Sequence, residues 1–156
     1  MNGSKMTRAE LVAEARTWLM TPYRMRGQIK GVGCDCATFL YCILRTAELF
    51  PEQEVGVFST DWWAHTSDER YMQRMLRHAA KVAEATMARS LWCTEGNIIL
   101  CKTAGSHVFN HGAIITSWPM GIHAVKPHVI EVDLSLDPMW AGKLCAVFDP
   151  FVKGSG

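Results

Sequence analysis

Cys36 is the cysteine in this 156-residue chain whose position best suits covalent chemistry. A glycine-rich loop over residues 22–35 leads into an apolar pattern of helical spacing, which predicts Asp35 as the N-cap and Cys36 in the first helical turn. Free backbone N–H groups and the helix dipole at such a position stabilise a thiolate, the form of cysteine that attacks a carbonyl carbon. From position alone, a nucleophile and a buried packing residue are equally good interpretations of Cys36.

A nucleophilic cysteine requires a base, and two of the six histidines lie at strand patterns. His111 directly precedes the apolar stretch 112–115, and His123 lies within the next such stretch. Side chains alternate between the two faces of a strand, so a two- or four-residue reversal would separate these histidines. A three-residue reversal centred on Ser117, or a β-bulge, would put them on one face, and we predict one of the two.

These three residues predict a division of roles that suits an amide hydrolase. Cys36 would attack the amide carbonyl, and His111 would take the thiol proton and return it to the leaving amine. His123 would hydrogen-bond to His111 and hold its orientation. The backbone N–H of Cys36, at the start of the helix, would donate to the oxyanion.

The elements that must position these residues are predicted as helices first and strands afterwards. A capping box near the N-terminus opens a helix to about Leu19, and a second helix starts near Cys36 and ends before Pro51. Apolar residues at helical spacing predict a long third helix from 66 to about 89. The remaining pattern predicts strands at 97–101, 112–116, 122–125, 129–132 and 144–148. This order predicts an α+β fold.

Length and composition limit the classes of protein that this chain can be. A length of 156 residues fits a single domain over 1–156, with flexible ends expected at 1–5 and 154–156. The net charge of +1 is too balanced for binding to nucleic acid, and no apolar run approaches the ~18 residues of a membrane span. Residues 1–10 lack the apolar middle region of a signal peptide, so we expect synthesis in the cytoplasm and free thiols at the six cysteines.

Five segments, in order, resemble motifs of the NlpC family of papain-like cysteine peptidases. They are Thr21-Pro22-Tyr23-Arg24 followed by Gly27, Asp35-Cys36-Ala37, Glu95-Gly96-Asn97-Ile98-Ile99, His111-Gly112-Ala113-Ile114 and Ile122-His123-Ala124. The resemblance covers about residues 7–148, and the step of 12 residues between the two histidines is typical of the family. It implies a helical half that carries the nucleophile at a helix N-terminus, packed on a small antiparallel sheet that carries the histidines.

The resemblance also implies an activity. Members of the family form a thioester acyl-enzyme and cut peptidoglycan stem peptides between D-γ-glutamate and diaminopimelate or lysine. By likeness to the family's motifs, Tyr23 and Asp35 would bind the free amino end of the peptide, and Tyr23 would also steady the oxyanion. We expect no cofactor and no metal.

Three departures from the family pattern bear on the substrate. Ala37 replaces the usual serine after the nucleophile, which weakens the expected preference for a free amino terminus. Gly112 replaces valine and would widen the site. The stretch 51–89, introduced by Trp62-Trp63 and carrying the long helix, is an insertion that would cover the cleft, contact a partner or simply pack.

Other features resemble the phage-encoded branch of the family. They are the insertion, the absence of a signal peptide and the closing pattern of Glu131-Val132, Trp140 and Phe148. This resemblance implies phage tail proteins as partners and delivery of the enzyme to the cell wall by a virion.

Three alternatives remain open. An acyltransferase or transamidase would form the same thioester and resolve it with an amine instead of water. A catalytically silent tail-assembly protein would carry an inert Cys36. A zinc site built from Cys34, Cys36 and histidines is the weakest alternative, because Cys-x-Cys is a poor zinc signature and no second cysteine pair stands at a suitable spacing.

Overall fold

The structure is a computed structural model that describes residues 5–51 and 70–154. Its helices are α1 (Arg8–Arg16), α2 (Cys36–Thr46) and α3 (Arg70–His78). A short antiparallel pair precedes α2 and consists of β1 (Gln28–Ile29) and β2 (Gly33–Cys34). The remaining strands are β3 (Ala80–Thr86), β4 (Ile98–Cys101), β5 (His111–Ser117), β6 (Met120–Ala124), β7 (Val129–Asp133) and β8 (Leu144–Asp149).

Strands β3 to β8 form one antiparallel sheet with the order β3-β8-β4-β5-β6-β7. Alternate residues of β4 belong to different apolar clusters, because side chains alternate between the faces of a strand. The helix-side cluster packs one face of the sheet, with Ile98 and Leu100, against the three helices, with Leu11, Phe39 and Met75. The far-side cluster covers the other face with Met87, Cys93, Leu134 and Trp140. The central strands are therefore buried on both faces, as the all-buried pattern of β4 shows.

The first two helices begin where the sequence predicts. Thr7 and Glu10 form the predicted capping box, in which Thr7 Oγ1 accepts from Glu10 N at 3.2 Å and Glu10 Oε2 accepts from Thr7 N at 2.7 Å. Helix α1 ends at Arg16, slightly before the predicted limit near Leu19. Helix α2 begins at Cys36, and the five predicted strands are present as β4 to β8. The α+β fold predicted from the sequence is confirmed.

The predicted long third helix is wrong in its second half. Helix α3 ends at His78, and the next residues form β3, an edge strand paired with β8. A bulge between Lys81 and Ala83 restarts the alternation, after which Ala83 and Ala85 are half-buried and their neighbours are exposed. Residues 80–86 have a helical spacing of apolar side chains, but they gain backbone hydrogen bonds by pairing with the edge of β8. This pairing decides the structure, because helix propensity is a weak preference that tertiary contacts override.

Some sequence predictions fall on residues that the structure does not describe. The start of the third helix at 66–69 and the pair Trp62-Trp63 lie outside the described residues, within 52–69. The predicted flexible ends lie partly outside them as well, at 1–4 and 155–156. The role of the insertion therefore stays a prediction.

Candidate active site

Asp35 holds the start of α2 and thereby places Cys36. As the N-cap residue, it accepts hydrogen bonds at Oδ1 from the backbone N–H groups of Ala37 (3.0 Å) and Thr38 (2.9 Å). Its Oδ2 accepts from the backbone N–H of Arg26 at 2.8 Å, which fastens the preceding loop. Thr38 Oγ1 in turn accepts from Asp35 N at 2.8 Å. Cys36 therefore occupies the first helical position, as the sequence predicts.

Tyr23 lies beside this helix start in the loop that precedes it. The loop is tight, because a Cβ on Gly27 would lie 2.5 Å from the backbone carbonyl of Gly33. Tyr23 forms a β-bridge with Cys34, and its side chain is half-buried. The phenol lies close enough to Cys36 for the two groups to interact electrostatically. Burial, followed by electrostatic interactions with Cys36 and Asp35, raises the pKa of Tyr23. The phenol is therefore a neutral hydrogen-bond donor at physiological pH.

The thiol of Cys36 is protonated at neutral pH, contrary to the sequence expectation of a stabilised thiolate. Burial, followed by the charge of Asp35, raises its pKa to about 12. The backbone N–H groups of Cys36 and Ala37 act in the opposite direction and are outweighed. The thiol contacts the carbonyl oxygen of Asn110, with Sγ at 3.7 Å. Nucleophilic attack from this position therefore needs a base that takes the proton.

A β-bulge brings the two candidate histidines to one face of the sheet. Strands β5 and β6 are joined by a two-residue turn, which alone would put the histidines on opposite faces. Thr116 is the extra residue, since Ile115 pairs with Gly121 and Ser117 pairs with Met120. The sequence predicts either an odd-length reversal or a bulge, and the structure confirms the bulge.

The bulge residue is fastened to the far end of α1. The buried hydroxyl of Thr116 donates to Glu131 Oε2 at 2.5 Å, across to strand β7. The other carboxylate oxygen of Glu131 pairs with Arg16 at 2.5 Å. This chain of polar contacts holds the bulge at the position that sets the histidine register.

His111 and His123 form a direct pair. Nε2 of His111 lies 2.8 Å from Nδ1 of His123, and the rings meet edge to face with centroids 5.1 Å apart. The two side chains are 6% and 1% exposed. Burial and the neighbouring His123 lower the pKa of His111 to about 3. Burial lowers the pKa of His123 to about 4, although Asp137 acts in the opposite direction. Both rings are therefore neutral at pH 7.

The thiol of Cys36 lies close to the residue at which β5 begins, His111. The carbonyl that Cys36 contacts belongs to Asn110, the residue directly before His111. Cys101 pairs with His111 across β4 and β5, and its pKa is raised by burial, by Cys145 and then by the charge of Cys36. The contact with Asn110 therefore places Cys36 next to the start of β5, and its electrostatic effect on Cys101 agrees with that position.

Two contributors to the site escaped the sequence analysis. Asn110 is clamped to the loop before β5, because its Oδ1 accepts from Thr103 N at 3.0 Å and its Nδ2 donates to Thr103 Oγ1 at 2.8 Å. Trp140 is fully buried and donates from its indole N–H to His123 Nδ1 at 3.2 Å. Trp140 stands between two predicted strands and belongs to the closing pattern noted in the sequence, but nothing in the spacing connects it to His123.

The zinc alternative finds no support among the described residues. Within 5–51 and 70–154, no group of three or more histidine, cysteine or acidic side chains could hold a metal ion. The six cysteines all lie in the described residues, and none of them forms a disulfide. In the same described part of the chain, no helix has the length and apolar character needed to cross a membrane.

Solved structures that resemble this chain include NlpC/p60 proteins. The NlpC/p60 domain of the peptidoglycan hydrolase SagA matches with a TM-score of 0.56 and 19% identity, over 91% of this chain and 98% of that one. An NlpC/p60 family protein from Bacillus cereus ATCC 10987 matches with a TM-score of 0.64 and 16% identity, over 92% of this chain and 40% of that one. An N-acetylmuramoyl-L-alanine amidase from Bacteroides uniformis ATCC 8492 matches with a TM-score of 0.59 and 10% identity, over 91% and 98%.

No protein-family model matches the chain, and no curated protein matches it. The structural likeness nevertheless extends over nine-tenths of the chain in each of these three cases, as the shares of 91%, 92% and 91% show. It agrees with the helices and the antiparallel sheet described above. The chain therefore has the NlpC/p60 fold, a papain-like arrangement of helices packed on an antiparallel sheet.

Proposed function

We propose that the chain is a cysteine-nucleophile amide hydrolase with Cys36 as nucleophile, His111 as base and His123 as the residue that orients His111. The observation that carries this proposal is the histidine pair, with its 2.8 Å contact, directly after Asn110, whose carbonyl oxygen contacts Cys36 Sγ. Two neutral imidazoles near a half-buried, protonated thiol suit a mechanism in which the proton moves as the nucleophile attacks.

The reaction balances with these groups and one water. The Cys36 Sγ–H proton passes to His111 Nδ1 as sulfur attacks the amide carbon, and the oxyanion accepts from the backbone N–H of Cys36. The C–N bond breaks, and His111 gives its proton to the departing amine, which leaves a thioester on Cys36. Water then attacks the thioester, its proton passes through His111 back to sulfur, and the carboxylic acid is released.

Tyr23 and Asp35 have different places in this proposal. The neutral phenol of Tyr23 lies near Cys36 and serves as a second donor to the oxyanion or to the bound peptide. The carboxylate of Asp35 already accepts three backbone N–H groups, so its first task is to hold the helix start. A carboxylate has about four acceptor sites, which leaves Asp35 one site for the amino end of a peptide.

We propose a peptidoglycan stem peptide as the substrate, cut at a D-γ-glutamyl-diaminopimelate bond. The support is the family resemblance of the sequence motifs and the likeness of the fold to a peptidoglycan hydrolase and an N-acetylmuramoyl-L-alanine amidase. Association with a phage tail and delivery by a virion rest on the sequence resemblance alone, and both stay predictions.

The test is a digest of purified muropeptides by the intact chain, read by mass spectrometry. The Cys36→Ala variant is the control for the nucleophile. New termini at the D-γ-glutamyl bond would support the endopeptidase, whereas new termini at another amide bond would keep the hydrolase and replace the substrate bond. A parallel digest with an added amine tests for acyl transfer, and products that carry this amine would identify an acyltransferase. No product in any arm would favour the catalytically silent alternative.

A further inference from the structure

Trp140 lies against both rings of the histidine pair. Its indole N–H donates to His123 Nδ1 at 3.2 Å, and its ring centroid lies 5.3 Å from that of His111 and 5.9 Å from that of His123. The backbone on either side is fixed, because Trp140 N donates to the carbonyl of Asp137 and Trp140 O accepts from Lys143 N, both at 3.0 Å. The indole is thus held in place at the pair.

This contact determines where the protons of the pair lie. An indole N–H can only donate, so the nitrogen that it faces must carry a lone pair. His123 Nδ1 is then unprotonated, and the proton of neutral His123 is on Nε2. The same lone pair faces His111 Nε2 at 2.8 Å, so that nitrogen must be the donor. His111 consequently has its proton on Nε2 and its lone pair on Nδ1.

We propose that Trp140 is a positioning residue that sets this tautomer, an inference that rests on the proposed role of His111 as the base. A base needs a lone pair on the nitrogen that faces the thiol. In the opposite arrangement, His123 Nδ1–H would donate to His111 Nε2, and the His111 proton would lie on Nδ1, where no thiol proton could be accepted. That arrangement would also point two N–H groups at each other across 3.2 Å.

The surroundings of His123 Nε2 do not select one tautomer of the pair over the other. His123 Nε2 is buried and has no hydrogen-bond partner among the residues that the structure describes. Since neither tautomer gains a bond at Nε2, selection falls to the contacts at Nδ1. Of these, His111 can donate or accept, whereas Trp140 can only donate.

The ring of Trp140 has a second effect that can be separated from the first. When His111 holds the proton, its imidazolium lies 5.3 Å from the indole centroid, within the range of a cation–π contact. Trp140→Phe keeps an aromatic face and removes the N–H, so it tests the tautomer alone. Trp118→Phe is the matched control, because the Trp118 indole N–H donates to the backbone carbonyl of Arg89 at 3.2 Å instead.

The experiment is ¹H–¹⁵N NMR of the histidine rings in the wild-type chain and in the two variants. We expect Nε2–H tautomers of both His111 and His123 in wild type and in Trp118→Phe, and mixed tautomers in Trp140→Phe. We also expect kcat to fall roughly tenfold in Trp140→Phe with KM unchanged, the size of effect that one hydrogen bond supports. Site-specific benzothienylalanine, which replaces the indole N–H with sulfur, gives the same comparison if Trp140→Phe does not fold.

Two results would overturn the inference. One is a wild-type His111 that carries its proton on Nδ1, and the other is a folded Trp140→Phe or benzothienylalanine variant that keeps both wild-type tautomers. The NMR readout needs no substrate, so it is separate from the proposed function. A wild-type chain with the expected tautomers and no turnover of any amide would refute the hydrolase and leave the tautomer assignment in place.

Discussion

At the scale of single residues, the chemistry depends on a competition between helix-start stabilisation and burial. The backbone N–H groups at the start of α2 favour a thiolate at Cys36, yet burial and Asp35 raise its pKa to about 12. The sequence predicts the first effect from position, but burial depends on what covers the thiol. The base at His111 therefore matters more for this nucleophile than the sequence alone suggests.

We expect substitutions at the three central residues to form a graded series in kcat. Cys36→Ala should abolish turnover, and His111→Ala should lower kcat by about 10⁴-fold, because each removes a reacting group. His123→Ala should lower kcat by roughly 10- to 100-fold, because His123 orients the base. Steady-state kinetics on a muropeptide measures the series.

The matched control for this series is Cys42→Ala, on the same helix as the nucleophile and packed in the helix-side cluster. It should cost some stability and leave kcat unchanged. Equal kcat in His111→Ala and wild type would show that His111 is not the base.

The activity should persist at moderately acidic pH. His111 loses its function as a base when it is protonated, and burial lowers its pKa to about 3 from an ordinary value near 6.5. We expect kcat/KM to stay level from pH 7 to about pH 5. A half-maximal loss near pH 6.5, in protein that circular dichroism shows to be folded, would contradict this expectation.

At the scale of elements, the site depends on one extra residue in one strand. Alternation of side chains along a strand makes the histidine pairing impossible across a plain two-residue turn, so the sequence could predict a bulge without showing where it lies. The structure places it at Thr116, whose hydroxyl contacts Glu131. That contact crosses between strands and was not visible in the local pattern.

Thr116→Val should therefore weaken both the fold and the site. The change keeps the shape of the side chain and removes the hydroxyl that donates to Glu131 Oε2. We expect the free energy of unfolding to fall by about 1.5–3 kcal/mol, as for a hydrogen bond to a charged group, and kcat to fall several-fold. Urea unfolding and kinetics measure the two effects.

Thr86→Val, at an exposed position of edge strand β3, is the control for this change and should leave both quantities near their wild-type values. A Thr116→Val variant with wild-type kcat would show that the bulge holds the histidine register without its polar contacts.

Prediction from sequence succeeded for elements with strong local signals and failed where pairing decided the outcome. The capping groups at Thr7 and Asp35 predicted the starts of α1 and α2, because capping is a local interaction. The segment 80–86 has helical spacing but forms β3, because β8 offers it an edge. The contact of Trp140 with His123 likewise joins segments that no local pattern relates.

At the scale of the whole molecule, burial of the histidine pair links the site to stability. The unfolded chain takes up protons at both histidines as the pH falls below about 6.5. The folded chain takes them up only near pH 4 for His123 and pH 3 for His111. Between these limits the unfolded state binds more protons, so stability falls as the pH falls.

We expect this effect to appear as a slope in the free energy of unfolding. Each histidine should contribute up to about 1.4 kcal/mol per pH unit near pH 5, and His123→Gln should remove its share. Urea unfolding at several pH values between 4.5 and 7.5 measures the slope. Trp118→Phe, which changes no titratable group, should keep the wild-type slope; a His123→Gln variant with the same slope as wild type would contradict the expectation.

The cap at Asp35 has a consequence for how this nucleophile can evolve. The same carboxylate that ties the loop to the helix start also opposes ionisation of the neighbouring thiol. A substitution that removed this charge would also disturb the local structure: Asp35→Asn would lose the acceptor for Arg26 N–H, and Asp35→Ala would release all three backbone N–H groups at the helix start. Reactivity and local order are therefore opposed at one side chain, and a faster enzyme of this design must gain its rate through His111.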